Sequence, residues 1–404
     1  MSKVKNYLGK SSMLIVLVLV MLLFEALIRA NGSGSLFSPA NINNFISQNG
    51  YVIILATGML LCILTGGNID LSVGSVVILV GAFSGIFIVN MGMNPYLATF
   101  LCLAIATLIG AWQAFWIAYV RIPPFVTTLA GMLIFRGLAL VIMDSKNIGP
   151  YPDSYKNMFN SYIPLPSKEI DIDGVVNYIP PQPSETLTVS IIFGVVVCLA
   201  LIIAQVVSRI MKIKKEYAVE HIALVIAKLV AVSAVVMFLA VRLGENRGVP
   251  VLLLILGAIV MFYAYFTQNT APGRYLYAMG GNEKAARLSG INTKKMMFFA
   301  YTNMGFLAGV AALVSVARFN QASTQAGQGF ELDAIGACFI GGASAYGGVG
   351  RVGGAVIGAV FMGVLNMGMS ILGADQNLQR VIKGLVLLAA VIFDVLSKNR
   401  KQAT

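Results

Sequence analysis

The sequence predicts an all-α polytopic membrane protein of about 10–12 transmembrane helices, and three observations carry that prediction. Of 404 residues, 58% are hydrophobic and only 11% charged, with a mean hydropathy of +0.84; soluble domains carry about 25% charged residues. The apolar residues come in runs of roughly twenty, the length that crosses a ~30 Å hydrocarbon core at about 1.5 Å per residue. The basic residues fall between those runs and form no continuous basic face. A net charge of +12 is therefore read as the positive-inside bias of membrane loops, and no nucleic-acid partner is expected.

Lys3, Lys5 and Lys10 precede the first apolar run, 12–30. That run is longer than the apolar core of a cleaved signal peptide and ends LIRANG, so it is expected to persist as a first span with the N-terminus inside. Further spans are expected near 48–66, 71–92, 95–120, 124–143, 188–208, 219–243, 249–267, 296–317, 332–348, 353–373 and 378–396. The segments at 48–66 and 332–348 are short enough to be broken or re-entrant. Twelve segments place both termini on one side. Alternating the loops then puts seventeen basic residues inside and eight outside, the asymmetry expected if both termini are cytoplasmic.

The four cysteines, Cys62, Cys102, Cys198 and Cys338, lie in apolar segments without CxxC spacing, and His221 is the single histidine. Neither a metal site nor a cofactor is expected. No G-x-x-x-x-G-K-[ST] string occurs, and GGVGRVGG lacks the lysine and hydroxyl that grip phosphate and magnesium. The chain is not expected to hydrolyse ATP by that route; its energy comes from a partner or an ion gradient.

Two glycine-rich stretches, GGNIDLSVGS (66–75) and GGASAYGGVGRVGG (341–354), each adjoin a short apolar segment and precede a longer one. Glycine lets membrane helices pack closely and break, and a broken helix frees backbone groups that are tolerated only along a cavity. Asn68, Asp70, Ser72, Gly341, Gly342 and Ser344 are therefore candidate translocation-pathway residues. Asp70 is an intramembrane carboxylate, a functional candidate by default, but it also precedes a helix expected to start at Leu71, where an N-cap explains it as well. Glu331 and Asp333, opening the segment at Leu332, have the same two readings.

The stretch 271–290, APGRYLYAMGGNEKAARLSG, interrupts the apolar runs. Asn282 stands as an N-cap, Glu283 in the first turn, Arg287 four residues on, and Gly290 as the stop. A helix of about eight residues spans ~12 Å and must lie outside the bilayer. Ala285 and Ala286 are small enough to admit another protein's surface; a loop helix without a partner is the alternative.

The pattern G-R-x-x-x-A-x-G-x-N-x-x-A-A-x-x-S-G-I at 273–291, with GGNIDLSVGS and GFELDAIGACFIGGASAYGGVGRVGGAVIGA (329–359), resembles the permease subunits of bacterial ABC importers for ribose, xylose, galactose and related sugars. The resemblance implies a non-enzymatic permease of the bacterial inner membrane, a single domain 1–404. Its 268–295 loop would be cytoplasmic and carry a coupling helix (Asn282, Glu283, Ala285, Ala286, Arg287, Gly290) that docks on an ABC ATPase subunit. It further implies a periplasmic or lipid-anchored sugar-binding protein, a second permease copy, and a monosaccharide substrate. Within that family, the outside insertion 144–187 and the extra pair of spans near 188–243 resemble the xylose and multiple-monosaccharide permeases most. The insertion holds seven of the thirteen prolines and a net charge of −3; a loop so long is expected to dock the binding protein or to cap the helices. An ion-coupled secondary transporter would need titratable groups deep in its spans, and only Glu25, Arg136, Lys228, Lys383 and Asp394 are available. An importer of a non-sugar solute and a purely structural membrane protein are the remaining alternatives.

Overall fold

In a bilayer every backbone amide must find its partner within the protein, which leaves helices as the economical solution for so apolar a chain. The computed structural model describes residues 2–164, 167–170, 176–179, 181–217 and 221–402. In chain order its helices are α1 (Ser2–Ala30), α2 (Pro39–Leu64), α3 (Val73–Gly85), α4 (Pro95–Phe115), α5 (Pro124–Ile142), α6 (Asp153–Asn160), α7 (Pro183–Lys214), α8 (Ile222–Gly244), α9 (Val251–Asn269), α10 (Ala271–Gly281), α11 (Glu283–Leu288), α12 (Thr293–Phe319), α13 (Phe330–Ile340), α14 (Val352–Ile371) and α15 (Gln376–Gln402). α3 and α4 each run on into a five-residue π-helical turn. Proline opens α4, α5 and α7, where its missing N–H costs nothing. Among the described residues ten helices are long and apolar enough to cross a membrane, so the chain is a multi-pass membrane protein.

The chain divides into two compact units. The larger comprises residues 1–34, 47–160 and 252–404. Its core is built on α2, α3, α12 and α14, whose most apolar stretches are 72%, 72%, 61% and 67% buried, whereas those of α1 and α5 are 22% and 28% buried and face outward. Small residues set the spacing: a Cβ on Gly110 of α4 would lie 2.9 Å from Gly305 Cα of α12, the close approach that binds membrane helices without a hydrophobic drive. Tyr155 of α6 is fully buried and donates to the Leu313 carbonyl at 3.0 Å, fastening α6 to α12.

The smaller unit comprises residues 35–46 and 161–251. It holds the α7/α8 hairpin, closed at one end by Thr186 Oγ1 donating to the Gly244 carbonyl at 2.9 Å. Strands β1 (Tyr162–Ile163) and β4 (Val249–Pro250) pair antiparallel, as do β2 (Ser167–Ile170) and β3 (Val176–Ile179).

Three expectations change. The segment expected at 48–66 begins at Pro39, because Asn41, Asn43 and Asn44 are compatible with helix yet too polar to read as span. The segment expected at 332–348 is helical only to Ile340; eleven residues cover about 16 Å, half the hydrocarbon thickness, and an irregular stretch follows. The segment expected at 378–396 lies within the longer helix α15, which is not among the ten found in the described residues. The 144–187 insertion contains α6, β1, β2 and β3 and the first residues of α7; Pro166, Asp171, Asp173 and Pro180, assigned to it, lie outside the described residues.

Candidate functional site

α2 ends at Leu64, and Gly66 (φ +131°) and Gly67 (φ +75°) turn the chain towards α3 in conformations that favour glycine. α13 ends at Ile340, and residues 341–351 run irregularly through Gly347 (φ +81°) and Gly348 (φ +68°) to α14. The two irregular segments lie backbone against backbone. A Cβ on Gly347 would come within 2.6 Å of Gly67 N, and one on Gly67 would overlap the Ala345 carbonyl. Gly348 N donates to the Leu64 carbonyl at 3.2 Å.

A third backbone enters the same place. Gly280, near the end of α10, is pressed so closely that a Cβ there would overlap the Leu64 carbonyl and stand 2.8 Å from Gly348 Cα. Tyr277, one turn earlier on α10, donates to the Gly350 carbonyl at 2.8 Å. The element leading into α11 therefore rests directly on the ends of both broken segments, with no side chain between them.

α10 and α11 are separate helices because the backbone at Asn282 is extended. Asn282 caps α11 as expected, accepting from Ala285 N at 3.0 Å, and Gly290 (φ +85°) follows its end. The helix has six residues rather than about eight. Glu283 turns away from the expected Arg287 pairing and accepts from Arg121 Nη1 at 3.0 Å. Arg121 is in the left-handed region (φ 69°) after α4, so the ion pair ties α11 to the α4–α5 connection. That hydrogen bond first, and the charges of Arg121 and Arg287 after it, hold the Glu283 carboxyl below the ordinary glutamate range. Ala286 is buried against its own chain, while Ala285 and Arg287 are exposed. Leu288 is 88% exposed. It was missed in the sequence, although an apolar residue inside EKAARLSG was signal enough.

The pathway candidates fall into two groups. Asn68 donates to Thr65 Oγ1 at 3.1 Å. Asp70 is buried and accepts from Ser72 N at 2.8 Å and Ser72 Oγ at 2.6 Å, and the Gln113 amide of α4 donates to Ser72 Oγ at 2.9 Å. α3 starts at Val73, so the cap position belongs to Ser72, and Asp70 braces that residue without capping a helix itself. Gly341 is packed on Gly354 and Ala355 of α14, whereas Gly342 faces open space. Ser344 is buried, and its hydroxyl accepts from Tyr346 N at 3.0 Å.

Glu331 and Asp333 lie inside the first turn of α13, whose cap position is Gly329. Asp333 is 1% exposed in its side chain and pairs with Lys383 Nζ of α15 at 2.9 Å; it also accepts from Tyr51 of α2 at 2.5 Å and from Asn366 of α14 at 3.4 Å. The Tyr51 ring stacks on Phe330 at 3.6 Å. An acid and a base that each looked anomalous in an apolar segment thus neutralise one another. Fifty residues separate them, and no local spacing could have joined them. Among the described residues no cluster of His, Cys, Asp and Glu could hold a metal ion.

The protein family described as "Branched-chain amino acid transport system / permease component" matches residues 41–391. The xylose transport system permease protein XylH of Escherichia coli K12 is 33% identical over 367 residues, 91% of this chain and 88% of its own. XylH of Haemophilus influenzae is 33% identical over 387 residues, 95% and 97% of the two chains. The ribose import permease protein RbsC of Escherichia coli K12 is 31% identical over 398 residues, 98% and 96%. No solved structure matches.

Proposed function

This chain belongs to the permease family that also contains the XylH and RbsC proteins, and we propose that it is the membrane subunit of an ATP-driven importer for a monosaccharide, a pentose such as xylose in the first instance. It is a transport permease and not an enzyme. The observation that supports the mechanism most is the contact of Gly280 with Leu64 and Gly348. In our reading α11 docks on a separate ATPase subunit with Leu288 as its apolar anchor. Movement of that subunit is passed through α10 to the ends of α2 and of the 341–351 segment, where helix breaks border the sugar's route. Ion pairing between Arg121 and Glu283 keeps α11 attached to the spans while it is pulled.

The complex would hold two permease copies, with a periplasmic or lipid-anchored binding protein docking on the 144–187 insertion. The chain would lie in the bacterial cytoplasmic membrane with both termini and the 268–295 loop inside. Asn68, Asp70, Ser72, Gly342 and Ser344 remain pathway candidates, with Gly341 giving the close packing behind them.

The proposal is tested by reconstituting the chain in proteoliposomes with its ATPase and binding protein and following xylose and ribose uptake. Uptake that requires ATP and the binding protein, and ignores an imposed sodium or pH gradient, is the expected result. Accumulation by the chain alone under either gradient overturns it.

A further inference from the structure

Where α9 passes into α10 there is a cavity of about 330 Å³, lined by Thr267, Gln268, Arg274, Tyr277, Gly350 and Arg351. None of the six is acidic. The side chains of Arg274, Arg351 and Gln268 make no hydrogen bond or ion pair with the protein among the described residues. Two arginines and a glutamine without partners among the described residues thus line one concavity, a donor-rich set suited to the oxygens of a phosphate, which arginine grips in bidentate fashion. The volume is that of a small-ligand site.

The position narrows the source of that phosphate. On α9, Met261, Phe262 and Tyr265 are 69%, 61% and 64% exposed, an apolar and aromatic face of the kind that meets lipid at the edge of the hydrocarbon. Gln268 comes three residues after Tyr265, about one helical turn of roughly 5 Å nearer the water. The cavity therefore stands at the depth of lipid headgroups, directly beside the outward face of a span.

We propose that this cavity binds the phosphate of an anionic phospholipid. Tyr277 and Gly350 both line it and are joined by a hydrogen bond from the Tyr277 hydroxyl to the Gly350 carbonyl, so an occupied cavity braces α10 against the segment before α14. The inference rests on the chain's being a membrane protein and is independent of what it transports.

The full chain, reconstituted in phosphatidylcholine vesicles containing a minor fraction of phosphatidylglycerol and re-extracted in mild detergent, is expected to retain phosphatidylglycerol above its bulk proportion, as read by mass spectrometry. Arg274→Gln or Arg351→Gln should lower that enrichment about five-fold, and the double variant about twenty-five-fold, with thermal unfolding in pure phosphatidylcholine unchanged. Should the double variant fail to fold, the wild-type chain decides alone: washing in ~1 M instead of ~0.1 M salt should strip the anionic lipid. Wild-type retention at the bulk proportion overturns the inference, as does enrichment indifferent to both arginines. Protection by inorganic phosphate in pure phosphatidylcholine, without lipid enrichment, would assign the cavity to a soluble anion and overturn the lipid source. Weaker ATPase-subunit binding by the double variant, with lipid retention intact, would give the arginines to that partner and also overturn it.

Discussion

Gly280 in the larger unit and Gly194 in the smaller one both sit where helices crowd, yet what they meet differs in kind. A Cβ on Gly194 of α7 would stand 2.7 Å from the Ala240 Cβ and 3.2 Å from the Met237 Sδ, both side chains of α8. A Cβ on Gly280 would strike a carbonyl oxygen and an amide already hydrogen-bonded to one another. The first pair of helices can part by tenths of an ångström. The second contact cannot open without breaking backbone bonds. Burial follows the same division: the most apolar stretches of α7 and α8 are 17% and 6% buried, against 72% for α2 and α3. Gly194 is a packing convenience between two helices, whereas Gly280 is the substance of the joint.

The contrast can be broken first at Gly67. Gly67→Ala places a side chain at φ +75° and into the Ala345 carbonyl; the left-handed cost and the overlap together destabilise by about 4 kcal/mol or more. A thermal melt in detergent should show the variant largely unfolded, whereas Gly194→Ala should stay within about 1–2 kcal/mol of the wild type. Next is the buried pair. Lys383→Met strands the Asp333 carboxylate and should cost about 3–5 kcal/mol, most of it recovered by adding Asp333→Asn. A double variant no more stable than the single one would mean that Lys383 and Asp333 do not act as a pair.

Leu288→Ala should leave the melt unchanged and weaken ATPase-subunit binding by about 2 kcal/mol, roughly thirty-fold. The smallest effect is at Glu283. Both partners of its ion pair are about two-fifths exposed, so Glu283→Gln should cost no more than about 1 kcal/mol. Arg121 depresses the folded-state pKa of Glu283, so the contribution is present above the ordinary glutamate value of about 4.3 and fades as pH falls through the lower folded value. A pH-independent difference between variant and wild type across that acid window would remove the ion pair from the account.

Much of this was legible beforehand where a signal is local. Apolar run length located the ten spans, and Asn282 and Gly290 bounded α11 because caps and stops depend on neighbours in sequence. Glycine content marked 66–75 and 341–354 as breaks. What could not be read was contact over distance: Gly280 on Gly348, Arg121 on Glu283, Lys383 on Asp333. Each joins residues far apart in the chain, so no local spacing points from one to its partner. Asp70 was ambiguous for a related reason, since a carboxylate before a helix looks alike whether it caps the helix or braces the cap residue beside it.

Transmission through Gly280 is tested most directly by Gly280→Ala in the reconstituted importer, measuring ATP hydrolysis and sugar uptake in the same vesicles. Because a Cβ there overlaps the Leu64 carbonyl, the account predicts that the variant melts well below the wild type, and that the complex which does assemble still hydrolyses ATP while uptake per ATP falls at least about ten-fold, the equivalent of about 1.4 kcal/mol of lost coupling. Uptake per ATP equal to that of the wild type would contradict it.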